Sequence, residues 1–140
     1  MVGTKRAYET PGRSDGYRVL IDRLWPRGAR KERLALVAWA KELAPSGGLR
    51  RWFAHDPDRW KGFVERYRRE LRASDARERL DDLARRAARD RVTVVYGARD
   101  EQHDDAVVVR DEIARRLRVA RRRPARRLAG RSRSRVSSPR

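Results

Sequence analysis

Two histidines, His55 and His103, each stand among carboxylates: Asp56 and Asp58 beside the first, Asp100, Glu101, Asp104 and Asp105 around the second. An imidazole titrates near neutral pH, so either side chain can serve as a general acid or base, or can instead stitch a loop to backbone. Asp22 and Asp100 follow the two most apolar runs of the chain and can act as paired carboxylates or as salt-bridge partners of Arg23 and Arg99, salt bridging being the favoured role for Asp22. Arg23 and Arg27, and less strongly Arg50 and Arg51, can clamp a phosphate or carboxylate, because the planar guanidinium presents paired donors to such oxyanions. Tyr96 can hydrogen-bond a ligand from a strand end. Ser46-Gly47-Gly48 can present free amides to an anion ahead of a short helix near Leu49, although a plain N-cap is the more ordinary role for Ser46. Trp25 and Trp52 are candidates for pocket walls, whereas Trp39 and Trp60 fit a core.

Several chemistries are excluded or disfavoured. The chain has no cysteine, which removes disulfides, thiolate catalysis and thiolate-rich zinc sites. No GxSxG elbow supports serine catalysis, and the glycines match neither a Walker loop nor a dinucleotide fingerprint. A two-histidine, carboxylate metal site lacks any HExxH or calcium-loop spacing, so no metal is assigned. No cofactor is indicated.

The elements that must position these residues can be read from periodicity. YRVLIDRL (17–24) and RVTVVY (91–96) are continuous apolar runs, the pattern of strands buried on both faces. Trp25-Pro26-Arg27-Gly28 breaks the first, and KERLAL forms a short helix; residues 36–43 fit either its extension or a strand. Trp60, Phe63, Val64, Tyr67 and Leu71 make one helical stripe over 57–72, started by Asp56 as N-cap and Pro57 at the first turn. Ser74 and Asp75 open another helix through Leu80, Leu83 and Ala87, and Ala106, Val109, Ile113 and Leu117 mark a last one, weakened by its β-branched valines. Two buried strands separated by helices predict a small layered α/β domain with a short, mostly parallel sheet flanked by helices, occupying residues 1–118. In such sheets ligands bind beyond the carboxyl ends of the strands, which brings Asp22, Arg23 and Arg27 beside Tyr96, Arg99, Asp100 and His103.

Of the +18 net charge, twelve units come from arginines in residues 115–140, a stretch without acids, which leaves +6 for residues 1–114. Residues 119–140 therefore read as a disordered arginine-rich tail. Only four lysines accompany thirty-four arginines, so part of the charge reflects codon bias. The longest apolar run, LALVAWA, is too short to cross a bilayer, and a cytoplasmic location without membrane association is expected. Three functions compete: a pocket for a small anionic ligand, with or without catalysis; non-specific nucleic-acid binding through the tail; and a non-catalytic protein-interaction module.

The strings YRVLIDRLWPRG, WAKELAPS, LRRWFAHDPDRW and VTVVYGARDEQHDDAVV, in this order and spacing, resemble the YeaO-like family of small bacterial proteins, domain of unknown function 488. The resemblance runs from about Lys5 to about Ile113 and implies a compact α/β protein whose marked positions coincide with the pocket; it supplies no reaction. This chain departs from the family pattern in having Gly97 after Tyr96, Asp104 and Asp105 after His103, and the arginine tail.

Overall fold

In the computed structural model, which describes residues 1–97 and 104–122, the two apolar runs are neighbouring strands. The strands are β1 (Val2–Arg6), β2 (Tyr17–Leu20), β3 (Ala38–Trp39) and β4 (Val92–Tyr96), in the sheet order β1-β4-β2-β3, and every pair is parallel. The helices are α1 (Lys31–Leu34), α2 (Gly47–Phe53), α3 (Trp60–Leu71), α4 (Ser74–Arg89) and α5 (Asp105–Arg121). The α/β architecture is the one the sequence predicts.

Alternation along β2 and β4 divides the core into two layers, as the two-residue side-chain period of a strand demands. Val19, Ile21, Val92, Val94 and Tyr96 join Phe63, Tyr67, Leu71, Leu80, Leu83 and Ile113 in the larger layer under α2 to α5. Leu20 and Val95 point the other way, to a smaller layer with Ala7 and Leu34, flanked by Trp25 and Trp39. Trp25 and Trp39 meet edge to face, with ring centroids 5.3 Å apart, a favoured aromatic geometry. Their indole N–H groups are both used, Trp25 donating to the Ala29 carbonyl (2.8 Å) and Trp39 to the Asp22 carbonyl (2.7 Å).

The smaller layer contains a buried ionic centre just before β2. Asp15 accepts from Lys5 (3.1 Å), from Arg18 (2.7 Å) and from the Gly12 N–H (2.8 Å), while Arg18 Nε donates to the Leu34 carbonyl (2.9 Å). Burial alone raises a carboxyl pKa, but the Gly12, Lys5 and Arg18 hydrogen bonds outweigh it and hold Asp15 below its ordinary value. Thr93 completes the centre by donating to the Asp15 carbonyl (2.6 Å), tying β4 to the start of β2.

Four features differ from the sequence reading. β1 carries only Val2 as an aliphatic residue and lies half-buried at the sheet edge, so it lacks the apolar run that reveals β2 and β4. Residues 36–43 are neither a whole helix nor a whole strand: Ala38–Trp39 extend the sheet, with Val37 and Ala40 donating to Arg18 and Leu20, and Lys41–Leu43 then form a 3-10 turn. The helix expected from Pro57 begins as a 3-10 turn at Pro57–Arg59, capped as predicted by Asp56, which accepts from the Asp58 N–H (3.0 Å). The last helix runs to Arg121, three residues past the domain end placed at 118, because burial of Val108, Val109 and Ile113 outweighs weak valine propensity. Residues 123–140 of the expected tail lie outside the described residues.

Candidate functional site at the strand ends

Asp22 lies two residues beyond β2, where the last sheet hydrogen bond, Ile21 N–H to the Val95 carbonyl, has been made. Its Oδ2 accepts from the Gly97 N–H (2.9 Å), so the first residue after β4 holds the first carboxylate after β2. A Cβ on Gly97 would stand 2.9 Å from that oxygen, closer than atoms pack, so glycine at this position makes room for Asp22. No ion pair forms between Asp22 and Arg23 among the described residues. Burial instead raises the Asp22 pKa, against the lowering effects of the Gly97 N–H and the Arg50 charge.

Asp105 is the first residue of α5, after Asp104 has capped the helix by accepting from the Ala106 N–H (2.8 Å). A helix N-terminus favours a carboxylate, yet Asp105 is pushed up to about 6. Burial is the main cause; the Arg50 and His55 charges lower it, and the Asp22 charge raises it further. Asp22, Asp105, Arg50 and His55 thus form one electrostatic group, gathered from three segments: the end of β2, α2 with the turn after it, and the start of α5. The buried Tyr67 hydroxyl below it donates to the Leu43 carbonyl, and its pKa is raised well above the ordinary value by burial and then by Asp105, Asp104, Glu70 and Asp22. The inner wall is acidic.

Cationic side chains crowd the start of α2. A Cβ on Gly47 would meet Arg51 Nη1 at 3.2 Å and Arg23 Nη1 at 3.3 Å, so both guanidiniums flank the start of α2, whose last turn carries Arg50. His55 is exposed and follows Ala54 in the left-handed backbone region, with φ 55° and 47° respectively. Left-handed backbone at a non-glycine residue costs roughly 1–2 kcal/mol, and here it turns the chain sharply from α2 toward Asp56. The Phe53 and His55 rings lie 5.9 Å apart.

The remaining candidates are placed as follows. Tyr96 ends β4 with its side chain buried in the larger layer. Arg27 is exposed, and its carbonyl accepts from the Tyr8 hydroxyl (2.9 Å). Ser46 caps α2 by accepting from the Leu49 N–H (3.2 Å), while its own N–H (2.8 Å) and hydroxyl (2.6 Å) bind Glu70. Trp52 packs on the larger layer beneath the guanidiniums of Arg66 (3.9 Å) and Arg59 (5.3 Å), and Trp60 packs there too. Arg99, Asp100 and His103 lie outside the described residues. Among the described residues, no group of three or more His, Asp or Glu side chains is arranged to hold a metal ion.

Sequence reasoning gave Asp105 no role beyond its proximity to His103 and ranked Arg50 below Arg23 and Arg27. Asp104-Asp105 before an apolar helical stripe is an N-cap signature, and it was the available signal that Asp105 opens a helix at a strand end.

The profile of the DUF488-N3i family, described as the inactive DUF488-N3 subclade, matches residues 1–132. The uncharacterized protein Rv3073c of Mycobacterium tuberculosis is 40% identical over 108 residues, covering 77% of this chain and 89% of its own length. The uncharacterized protein YeaO of Escherichia coli is likewise 40% identical over 108 residues, covering 76% of this chain and 91% of its own. No solved structure matches the chain at significance. A profile match over nearly the whole chain, with two such relatives, makes this protein a member of the YeaO-like DUF488 family.

Proposed function

We propose that the strand-end group binds a small anionic ligand that also carries hydroxyl or amine donors. The observation that carries this reading is the pairing of two under-compensated carboxylates, Asp22 and Asp105, with a cationic rim of Arg23, Arg50 and Arg51. The rim arginines match a phosphate or carboxylate, and the inner carboxylates accept hydrogen bonds from the rest of the ligand. Asp105, half-protonated at about pH 6, can give or take a proton near neutrality. The description of the matching family as inactive favours binding without turnover, so the carboxylates serve recognition in this reading. A cytoplasmic setting suits such a ligand; no helix among the described residues is long and apolar enough to cross a membrane.

Thermal unfolding of the full chain against nucleotides, sugar phosphates and small carboxylates tests the proposal. A ligand at a hundred times its dissociation constant adds about 2.7 kcal/mol, a shift of several degrees. The shift is expected to vanish in Arg50→Ala and to weaken in Asp105→Asn. A panel without a hit, or a hit indifferent to both variants, removes the assignment.

A further inference from the structure

On the far side of the helical layer, α3 and α5 enclose a cleft of about 330 Å³ lined by Arg68, Arg72, Asp111, Glu112, Arg115 and Arg118. Its floor is Glu112, only 1% exposed. Four guanidiniums converge on that one carboxylate. Arg68 and Arg115 approach Oε2 at 3.7 and 3.8 Å, and Arg72 and Arg116 approach Oε1 at 3.5 and 3.3 Å. Of these, only Arg116 hydrogen-bonds Glu112, and it is also held by Asp81 (2.9 Å). The second acid of the lining, Asp111, is engaged by its neighbour Arg110 (3.1 Å).

The donor count does not close. A guanidinium offers five N–H donors and a carboxylate accepts about four, so Glu112 falls far short of saturating the four arginines around it. Arg68 Nε is shut off from solvent with no hydrogen-bond acceptor, and the Arg118 side chain has no acidic partner among the described residues. Arg68, Arg72 and Arg115 remain about half-exposed, so the surplus charge faces an open cleft. No aromatic or aliphatic side chain lines it, which leaves charge and paired donors as the means of recognition.

We infer that this cleft is a phosphate site, separate from the strand-end group, which takes a phosphate oxyanion through Arg68, Arg72, Arg115 and Arg118. Glu112 keeps the guanidiniums gathered in the unliganded protein, and the entering oxyanion supplies the acceptors that Glu112 lacks. The cleft is near the lower limit of ligand-site volumes, which suits one or two phosphate groups. Beyond it α5 ends at Arg121 with Arg122 as its cap, so a phosphodiester strand can supply the same oxyanion as a free pyrophosphate.

Calorimetric titration of the full chain with pyrophosphate, and separately with a ten-nucleotide single strand, distinguishes the two sources. The variant is Arg72→Gln with Arg118→Gln, which removes two exposed charges and leaves Arg68, Arg115 and Arg116 on Glu112; its thermal unfolding confirms the fold. Affinity for at least one probe is expected to fall tenfold or more, while Arg85→Gln, an exposed arginine of α4 outside the cleft lining, leaves that affinity unchanged. Loss for pyrophosphate assigns a free phosphate ligand, and loss for the oligonucleotide alone assigns a nucleic-acid backbone. The tail is common to both proteins and cancels in the comparison. Wild-type binding that is absent for both probes, or unaltered in the double variant, overturns the site.

Discussion

Asp15 and Asp22 bracket the same strand, one two residues before β2 and one two residues after it, and the protein treats them in opposite ways. Asp15 is given two cations and a backbone N–H, and its pKa is lowered. Asp22 is given a single backbone N–H and a second carboxylate nearby, and its pKa is raised. A buried carboxylate held by two cations and a backbone N–H is part of the fold, even though Arg18 Nη2 beside it is buried without a hydrogen-bond partner. A carboxylate left short of donors in a cleft is poised for something from outside. The carboxylate before β2 is thus held by cations, while the one after it is left short of them, which is what the proposed ligand site rests on.

The contrast can be broken most forcefully from the Asp15 side. Asp15→Ala leaves the buried Arg18 guanidinium without its carboxylate and is expected to cost about 3–5 kcal/mol in urea denaturation. A loss below about 1 kcal/mol would show that the two ends are not so different. At the other end the sign reverses. Asp105 binds its proton more tightly folded than unfolded, so its contribution is greatest below about pH 4 and declines as pH rises toward 6. That decline amounts to about 2–3 kcal/mol, and Asp105→Asn is expected to flatten it and to be the more stable protein at pH 8. Denaturation midpoints measured between pH 4 and 8 in both proteins check this; parallel curves would place Asp105 in solvent. The smallest effect concerns the strained turn that presents His55. Ala54→Gly relieves a left-handed residue and is expected to add about 0.5–1 kcal/mol. A destabilised variant would locate the turn's stability in the Ala54 side chain.

The same contrast explains what could be read from sequence. β2 and β4 were legible because Val19, Leu20, Ile21, Val92, Val94 and Val95 are dictated by burial on both faces, although Arg18 and Thr93 are buried polar residues of the same strands. α3 was legible because Phe63, Tyr67 and Leu71 repeat at helical spacing and Asp56-Pro57 announces the start. β1 was silent, since its residues answer to pairing with β4 more than to a core. The strand-end rule pointed to Asp22 and Arg23, but it could not say that Asp22 accepts from the Gly97 N–H. Nor could it select Arg50 and Asp105, whose grouping depends on how α2 and α5 pack against the sheet. Asp15 was not singled out at all, because Lys5, Gly12 and Arg18 meet it only through tertiary geometry.

The strand order carries a consequence for how the protein is made. β4 sits between β1 and β2, although it is the last strand synthesised. Until residues 92–96 leave the ribosome, β1 has no neighbour and β2 can pair only with the two residues of β3. A nascent chain of eighty or so residues therefore displays open strand edges with α2 and α3 already formable beside them, the kind of intermediate on which chaperones act. The sheet closes in a single late insertion, and the same event brings Gly97 to Asp22. Assembly of the sheet sets the Asp22–Gly97 contact, and α5, which follows it, then brings Asp105 to complete the group.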